Sequence, residues 1–293
     1  MLGIAKYLNA RSRPAASLAE FNAGSMLRRI RGCNIEASPG WTGSSNSDVV
    51  AYPQQLVSPT ARLPMTSFKT IRARAEKRKG GPKALEKLMP EKPDLKGLAK
   101  RGDDRILAEM TKRVFCAGFA WSVIETKWDG FEKAFLQFQP AKLTFQPEDY
   151  WEGLLRDARI VRNGAKIMSV RDNAAFVQAI AREHGSFGRF LAKWPPSDQI
   201  GLLDLLSKRG SRLGGNTGQM LLRFVGWDGF VTSRDVVACL RDAGLDIAEE
   251  VKSKGDLAKV QAQFNAWAEE TGLSYTYLSR ICALSVGENR SDH

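Results

Sequence analysis

Histidine is almost missing from this chain of 293 residues: there are two, His184 and the terminal His293. So few exclude a histidine-rich metal site and make a Ser–His–Asp triad a poor expectation. Cysteine is scarce too. Cys33, Cys116, Cys239 and Cys282 stand far apart and form no C-x-x-C pair. Cys116 and Cys239 sit in apolar runs, which suits reduced core thiols in a cytoplasmic protein. No stretch of eighteen apolar residues exists, so no membrane span is expected. No alternating apolar run is long enough to require a sheet, and no segment repeats. Acid is in short supply: 32 Asp and Glu face 44 Lys and Arg, giving +12 and a pI near 9.7. Such a surface favours nucleic acid or an anionic membrane face.

What is present divides unevenly. Residues 1–64 are rich in Ser, Pro, Gly and Asn, show no sustained periodicity, and carry seven basic against three acidic residues. That composition buries too little apolar surface to offset the entropy of ordering. Three readings fit: an upstream extension with Met65 as the natural start, a disordered tail, or an organelle transit peptide. Residues 65–288 read as a helical domain and residues 289–293 as a tail. Period-3.6 patterns and caps predict helices at 67–79, 82–89, from Asp103 or Asp104 to about Phe119, and at 121–127, 129–137, 147–156, 166–183, 186–193, 198–208, 217–226, 233–243, 255–271 and 274–284. Pro90 and Pro93 mark a linker. The expected fold is all-α, with two lobes and a cleft.

The stretch Ser207 to Val237, SKRGSRLGGNTGQMLLRFVGWDGFVTSRDVV, organises the rest. Lys208 and Arg209 close a helix at the negative end of its dipole. Gly210, Gly214, Gly215 and Gly218 break the pattern. Asn216 or Thr217 then caps a helix whose apolar face is Met220, Leu221, Phe224 and Val225. The N–H groups at that helix start suit a phosphate, and Lys208, Arg209 and Arg212 surround them with positive charge. The plain alternative is an ordinary corner between two helices.

Three segments, in order and at matching spacing, resemble the bacterial 3-methyladenine DNA glycosylase I family, of the helix-hairpin-helix group. They are Ala117-Gly118-Phe119-Ala120-Trp121 followed by FEKAFLQFQPAKL; Asp157 to Ile167 followed by Asn173-Ala174; and Lys208-Arg209-Gly210 leading through Gly214, Gly215 and Thr217. The resemblance covers roughly residues 104 to 240. It implies a helix-hairpin-helix glycosylase-like domain that binds duplex DNA bearing alkylated bases. It also implies hydrolysis of the N-glycosidic bond of an alkylated purine such as 3-methyladenine by base flipping, as a monomer without cofactor.

The chain departs from the family's pattern at the base. Arg113 stands where the family's typical enzymes carry a Glu, and Phe115 and Cys116 replace nearby glutamines. Val236 and Leu240 occupy the downstream zinc-ligand positions, so no metal is expected. Arg113 beside a cationic base would repel it: either it points to a phosphate or the base is not a cation. Trp121 is the candidate stacking wall, with Phe119 and Arg113 as further base contacts; a core tryptophan is its plain alternative. Gly214 to Gly218, with Asn216 and Thr217, would line the phosphate site. Lys166 and Arg162 flank a second glycine turn and could hold another phosphate. Asp235, early in the helix after the hairpin, is the candidate catalytic carboxylate, though a first-turn acid already suits the helix dipole. No lysine lies near position 220, so a monofunctional glycosylase is expected rather than a lyase. The competing reading is a non-enzymatic DNA-binding protein that lost the base pocket.

Overall fold

The computed structural model describes residues 65–287, and the expectations for residues 1–64 and for the tail lie outside them. In chain order the helices are α1 (Phe68–Lys79), α2 (Pro82–Glu86), α3 (Leu95–Lys100), α4 (Asp103–Cys116), α5 (Trp121–Thr126), α6 (Trp128–Ala134), α7 (Pro140–Thr144), α8 (Glu148–Leu154), α9 (Gly164–His184), α10 (Phe187–Lys193), α11 (Gln199–Arg209), α12 (Gly215–Phe224), α13 (Arg234–Asp242), α14 (Lys254–Thr271) and α15 (Tyr275–Ser285). Short 3-10 turns lie at Leu136–Phe138 and Pro196–Asp198, and no strand occurs among the described residues. The fold is all-α. No described helix is long and apolar enough to cross a membrane.

Helix starts follow side-chain capping in most of the long elements. Asn163 accepts from the Lys166 N–H at 3.1 Å to open α9, and Ser253 and Ser274 do the same for α14 and α15. The start of α4 differs from expectation. Neither Asp103 nor Asp104 is its cap; the helix begins at Asp103 with Gly102 before it. The Asp103 carboxylate instead accepts the Phe187 N–H at 2.8 Å, which ties α4 to the start of α10. Burial pushes that carboxyl above its ordinary range.

Two apolar cores form. The first gathers α3 to α12 around Ile106, Met110, Phe131, Phe135, Phe138, Trp151, Ile167 and Leu206. The second joins α1 and α2 to α13, α14 and α15 through Phe68, Phe230, Val236, Leu240, Phe264 and Trp267. Ile200 packs against both. Each fully buried large apolar side chain contributes roughly 1.5–3 kcal/mol relative to exposure. Trp151, Trp227 and Trp267 are packing residues, at most 2% exposed. Where the cores meet, segment 90–95 is flanked by two clefts of about 520 and 670 Å3. Phe224 and the buried Trp227 line the second.

Candidate functional site

The glycine hairpin forms between α11 and α12, and its glycines are used in different ways. A Cβ on Gly210 would stand 2.6 Å from Leu213 Cδ1 and 2.7 Å from the Leu206 carbonyl, and one on Gly218 would stand 2.5 Å from the Leu213 carbonyl. Gly215 needs its positive φ of 56° and has open space around it. Arg212 also adopts the left-handed region, at φ 61°. Leu213 is fully buried beneath the turn. The expected cap is corrected: α12 begins at Gly215, and neither Asn216 nor Thr217 caps it. Gly214 precedes it, and no side chain bonds its first turn. The left-handed turn at Gly215 carries the chain into the helix one residue before Asn216 and two before Thr217. The dipole's positive end therefore keeps its N–H groups free of side-chain acceptors.

The cations around the hairpin are already engaged with neighbours. Lys208 Nζ lies 2.5 Å from Asp204, and Arg209 lies 3.2 Å from Glu183 with its guanidinium over the Phe176 ring. Arg212 Nε donates to the Ala165 carbonyl at 3.2 Å, which ties the hairpin to the start of α9. These pairs are surface-exposed or nearly so, and such pairs are worth about 0–1 kcal/mol, so a phosphate competes with them readily.

Lys166 does not reach a phosphate, contrary to expectation. It is 7% exposed, and its ammonium donates to the Phe115 carbonyl at 3.1 Å and the Ala117 carbonyl at 2.5 Å. It also sits 4.5 Å over the Phe119 ring. A cation at the C-terminal end of α4 satisfies carbonyls the helix leaves over. Burial, and then Arg212, hold its pKa below the ordinary lysine value. Lys166 thus fixes the Ala117–Trp121 segment rather than DNA.

That segment presents Trp121, 44% exposed, and Phe119, 39% exposed. Trp121 opens α5 and meets Phe224, the last residue of α12, with ring centroids 5.6 Å apart and planes tilted by 58°. Against both rings lies the Arg113 guanidinium, 3.9 Å from the Phe224 ring and 4.8 Å from the Trp121 ring. Its side chain is 3% exposed, so it does not point to a phosphate. Its Nε is 2.7 Å from Glu109 Oε1, one helical turn back, but misaligned for a hydrogen bond. Nε and Nη1 of Arg113 and Oε1 of Glu109 are buried without a hydrogen-bond partner. Burial pushes the Glu109 carboxyl up and Arg113 pulls it back down.

Sequence reasoning missed Glu109 and Phe224 as parts of this cluster. The i, i+4 spacing of Glu109 and Arg113 was the available signal for one. Nothing local signals Phe224, since its partners lie far back in the chain.

Asp235 stands in the first turn of α13, which Ser233 caps through the Val236 N–H at 3.4 Å. It is exposed, and its Oδ1 lies 2.9 Å from where a Cβ on Gly287 would stand. The structure places it against the end of α15, not in the Arg113–Trp121–Phe224 cluster. Val236 and Leu240 are buried in the second core. Among the described residues no group of three or more His, Cys, Asp or Glu could hold a metal ion.

Helix, glycine hairpin and helix, with a positive rim and an exposed tryptophan against the second helix's end, define an all-α protein of the helix-hairpin-helix class. Residues 96–201 match the model of the methyladenine glycosylase family. The 3-methyladenine DNA glycosylase I of Staphylococcus aureus is similar at 21% identity over 52% of this chain and 85% of its own, with a TM-score of 0.38. The 8-oxoguanine glycosylase/lyase of Methanocaldococcus jannaschii, in complex with 15mer DNA containing 8-oxoguanine, is similar at 15% identity over 73% and 96%, with a TM-score of 0.44.

Proposed function

We propose that the protein is a monofunctional DNA glycosylase that flips a modified base out of duplex DNA and hydrolyses its N-glycosidic bond. One observation carries this reading: Trp121, a half-exposed ring, is in contact with Phe224 on the second helix of the hairpin unit. The phosphate grip and a stacking face are thus parts of one structure. The uncapped start of α12, with Arg209, Arg212 and Lys208, would hold the backbone, and the extruded base would rest on Trp121. As the glycosidic bond breaks, its electron pair leaves with the base. Water adds to the sugar C1′, and the proton it loses goes to the base where the base leaves as an anion, and to solvent where a cationic base has left neutral. Asp235 is the proposed carboxylate for the positive charge that develops on the sugar. No lysine lies between Arg209 and Val251 to form a Schiff base.

The family's substrate, a cationic methylated adenine, is the first base to test. Arg113 weighs against it: two unit charges about 4 Å apart repel by about 4 kcal/mol at an effective dielectric near 20. Glu109 offsets part of that. A second reading, a DNA-binding protein without excision, is favoured by the guanidinium already packed against both Trp121 and Phe224.

The deciding experiment incubates the protein with methylated DNA and identifies released bases by mass spectrometry, with binding measured in parallel over a salt series. Arg209→Ala with Arg212→Ala should weaken binding to any duplex and flatten the log–log salt slope by about 0.9 for each phosphate no longer neutralised. Unchanged affinity and slope would remove the hairpin as the grip. Binding without release of any base would favour the second reading.

A further inference from the structure

The guanidinium of Arg113 is buried against the exposed rings of Trp121 and Phe224 and has no hydrogen-bonded acid. Its Nη1 has no acceptor, and its Nε lies near Glu109 without a hydrogen bond. Its cover is two rings, Trp121 and Phe224, each more than two-fifths exposed. Neither ring belongs to the first core. Lys166 holds the backbone beneath Trp121 by bonds to Phe115 and Ala117.

The spacing limits how a base can enter. A flat base between two rings needs them roughly 7–8 Å apart, two contact distances of about 3.5–4.0 Å. Trp121 and Phe224 are 5.6 Å apart and tilted, with a guanidinium already against both. A sandwiched base does not fit. A base can stack on one ring only, and its edge meets Arg113, 3% exposed, only where the other ring moves aside. What that edge meets is a donor with a fixed positive charge and no lone pair to offer.

On the basis of the base-excision reading above, we propose that Arg113 determines substrate class: the site takes an uncharged purine with a carbonyl-bearing acceptor edge, of the oxidised or deaminated kind, in preference to a cationic methylated one. Arginine pairs naturally with the O6 and N7 acceptors of hypoxanthine, and with a single carbonyl oxygen of 8-oxoguanine, whose N7 carries a proton. The charge demand of the reaction points the same way. An alkylated cation leaves as a neutral base and needs no help from a positive group. An uncharged base leaves carrying the glycosidic electron pair, and a buried guanidinium on its acceptor edge stabilises that negative charge until the base takes up the proton lost by water. Glu109 holds the guanidinium in place, so it is a positioning residue.

Two measurements separate this proposal from the reading it rests on. The first is calorimetric binding of free bases, hypoxanthine against 3-methyladenine, to the wild-type protein and to Arg113→Gln. Hypoxanthine should bind at least about tenfold more tightly than 3-methyladenine to the wild type, and Arg113→Gln should erase the difference. Free 3-methyladenine is uncharged, so this arm reads the carbonyl edge against an amino edge and the duplexes below read the charge; equal or reversed preference in the wild type overturns the edge assignment, and it needs no variant to fold. A preference unchanged by Arg113→Gln overturns Arg113 as its source. The second is single-turnover release from duplexes carrying hypoxanthine, 8-oxoguanine or 7-methylguanine. Faster release of the two uncharged bases supports the proposal, and faster release of 7-methylguanine overturns it. If hypoxanthine binds selectively but no duplex loses a base, excision itself fails while the assignment of the pocket stands.

Discussion

The side-chain amide of Asn173 makes both hydrogen bonds of the Ser211 backbone: Nδ2 donates to the Ser211 carbonyl at 3.0 Å, and Oδ1 accepts the Ser211 N–H at 2.8 Å. Asn173 is 1% exposed on α9, and Ser211 lies inside the hairpin. One residue of the first core thereby sets the angle at which the hairpin leaves it.

Asn173→Leu should remove both bonds and leave a partly buried N–H and carbonyl without partners, at about 1–3 kcal/mol each. Urea unfolding should show the loss. Duplex DNA affinity should fall as well, because the turn loses its seat. Unchanged unfolding midpoint and affinity would mean the hairpin holds itself.

The glycines at 215 and 218 separate two kinds of constraint. Gly215→Ala meets no neighbour and costs only the left-handed backbone, about 1–2 kcal/mol. Gly218→Ala drives a methyl against the Leu213 carbonyl and must move backbone, so it should cost more and spread α11 from α12. Urea midpoints of the two variants, measured together, check the order. Equal losses would contradict it.

Cys239 should make stability depend on pH. Its thiol is held down at about 7 by hydrogen bonding from Cys282 against the opposing effect of burial, with Ser285 and Arg74 adding to the lowering. Arg74 Nη2 is 3.6 Å from its sulfur. Between about 7 and the ordinary value of 9.0 the folded protein has released a proton that the unfolded chain still holds. Stability therefore rises with pH across that window and is lost as pH falls through about 7. The rise is at most roughly 2–3 kcal/mol, since one unit is worth about 1.4 kcal/mol. Burial and Cys239 raise the Cys282 thiol, which acts in the opposite sense at higher pH. Urea unfolding at a series of pH values should show the rise in the wild type and not in Cys239→Ala.

Asp235→Asn tests the proposed carboxylate. Excision should slow strongly in single turnover, with duplex affinity nearly unchanged, if Asp235 stabilises the sugar cation. If it serves only the dipole of α13, the variant should lose about 0.3–1 kcal/mol of stability and little rate. Normal excision would take Asp235 out of the site.

The long helices were legible because period and caps agree in them. α1, α9 and α14 lie within a few residues of their expected bounds, and Asn163 and Ser253 act as caps. α3 and α7 were not, since five or six residues hold too little of a 3.6 period to register. The hairpin was legible because glycine marks it in sequence. Its cap was not, because a left-handed Gly215 starts the helix without one. Lys166 was misplaced for a different reason: a lysine beside a glycine turn reads as solvated, and only the packing shows its long stem folding back onto two carbonyls. The Arg113 cluster depends on Phe224 meeting Trp121 across the first core, and local pattern carries no trace of that meeting.

The second core has a consequence for synthesis. Its N-terminal share is α1 and α2; Phe68 of α1 packs 5.3 Å from the Trp267 ring, and Arg74 reaches Asp242 and Ser285. Its remaining share is α13 to α15. A growing chain can complete the first core while, among the described residues, only α2 covers part of the apolar side of α1. The join waits for α15 to leave the ribosome, and closing so long a loop costs entropy that no local contact repays beforehand. Throughout that interval Phe68, Ile71 and Ala75 stand open to water and to other nascent chains. Chaperone demand should therefore fall on the first helix described, although it is made first and is the most charged.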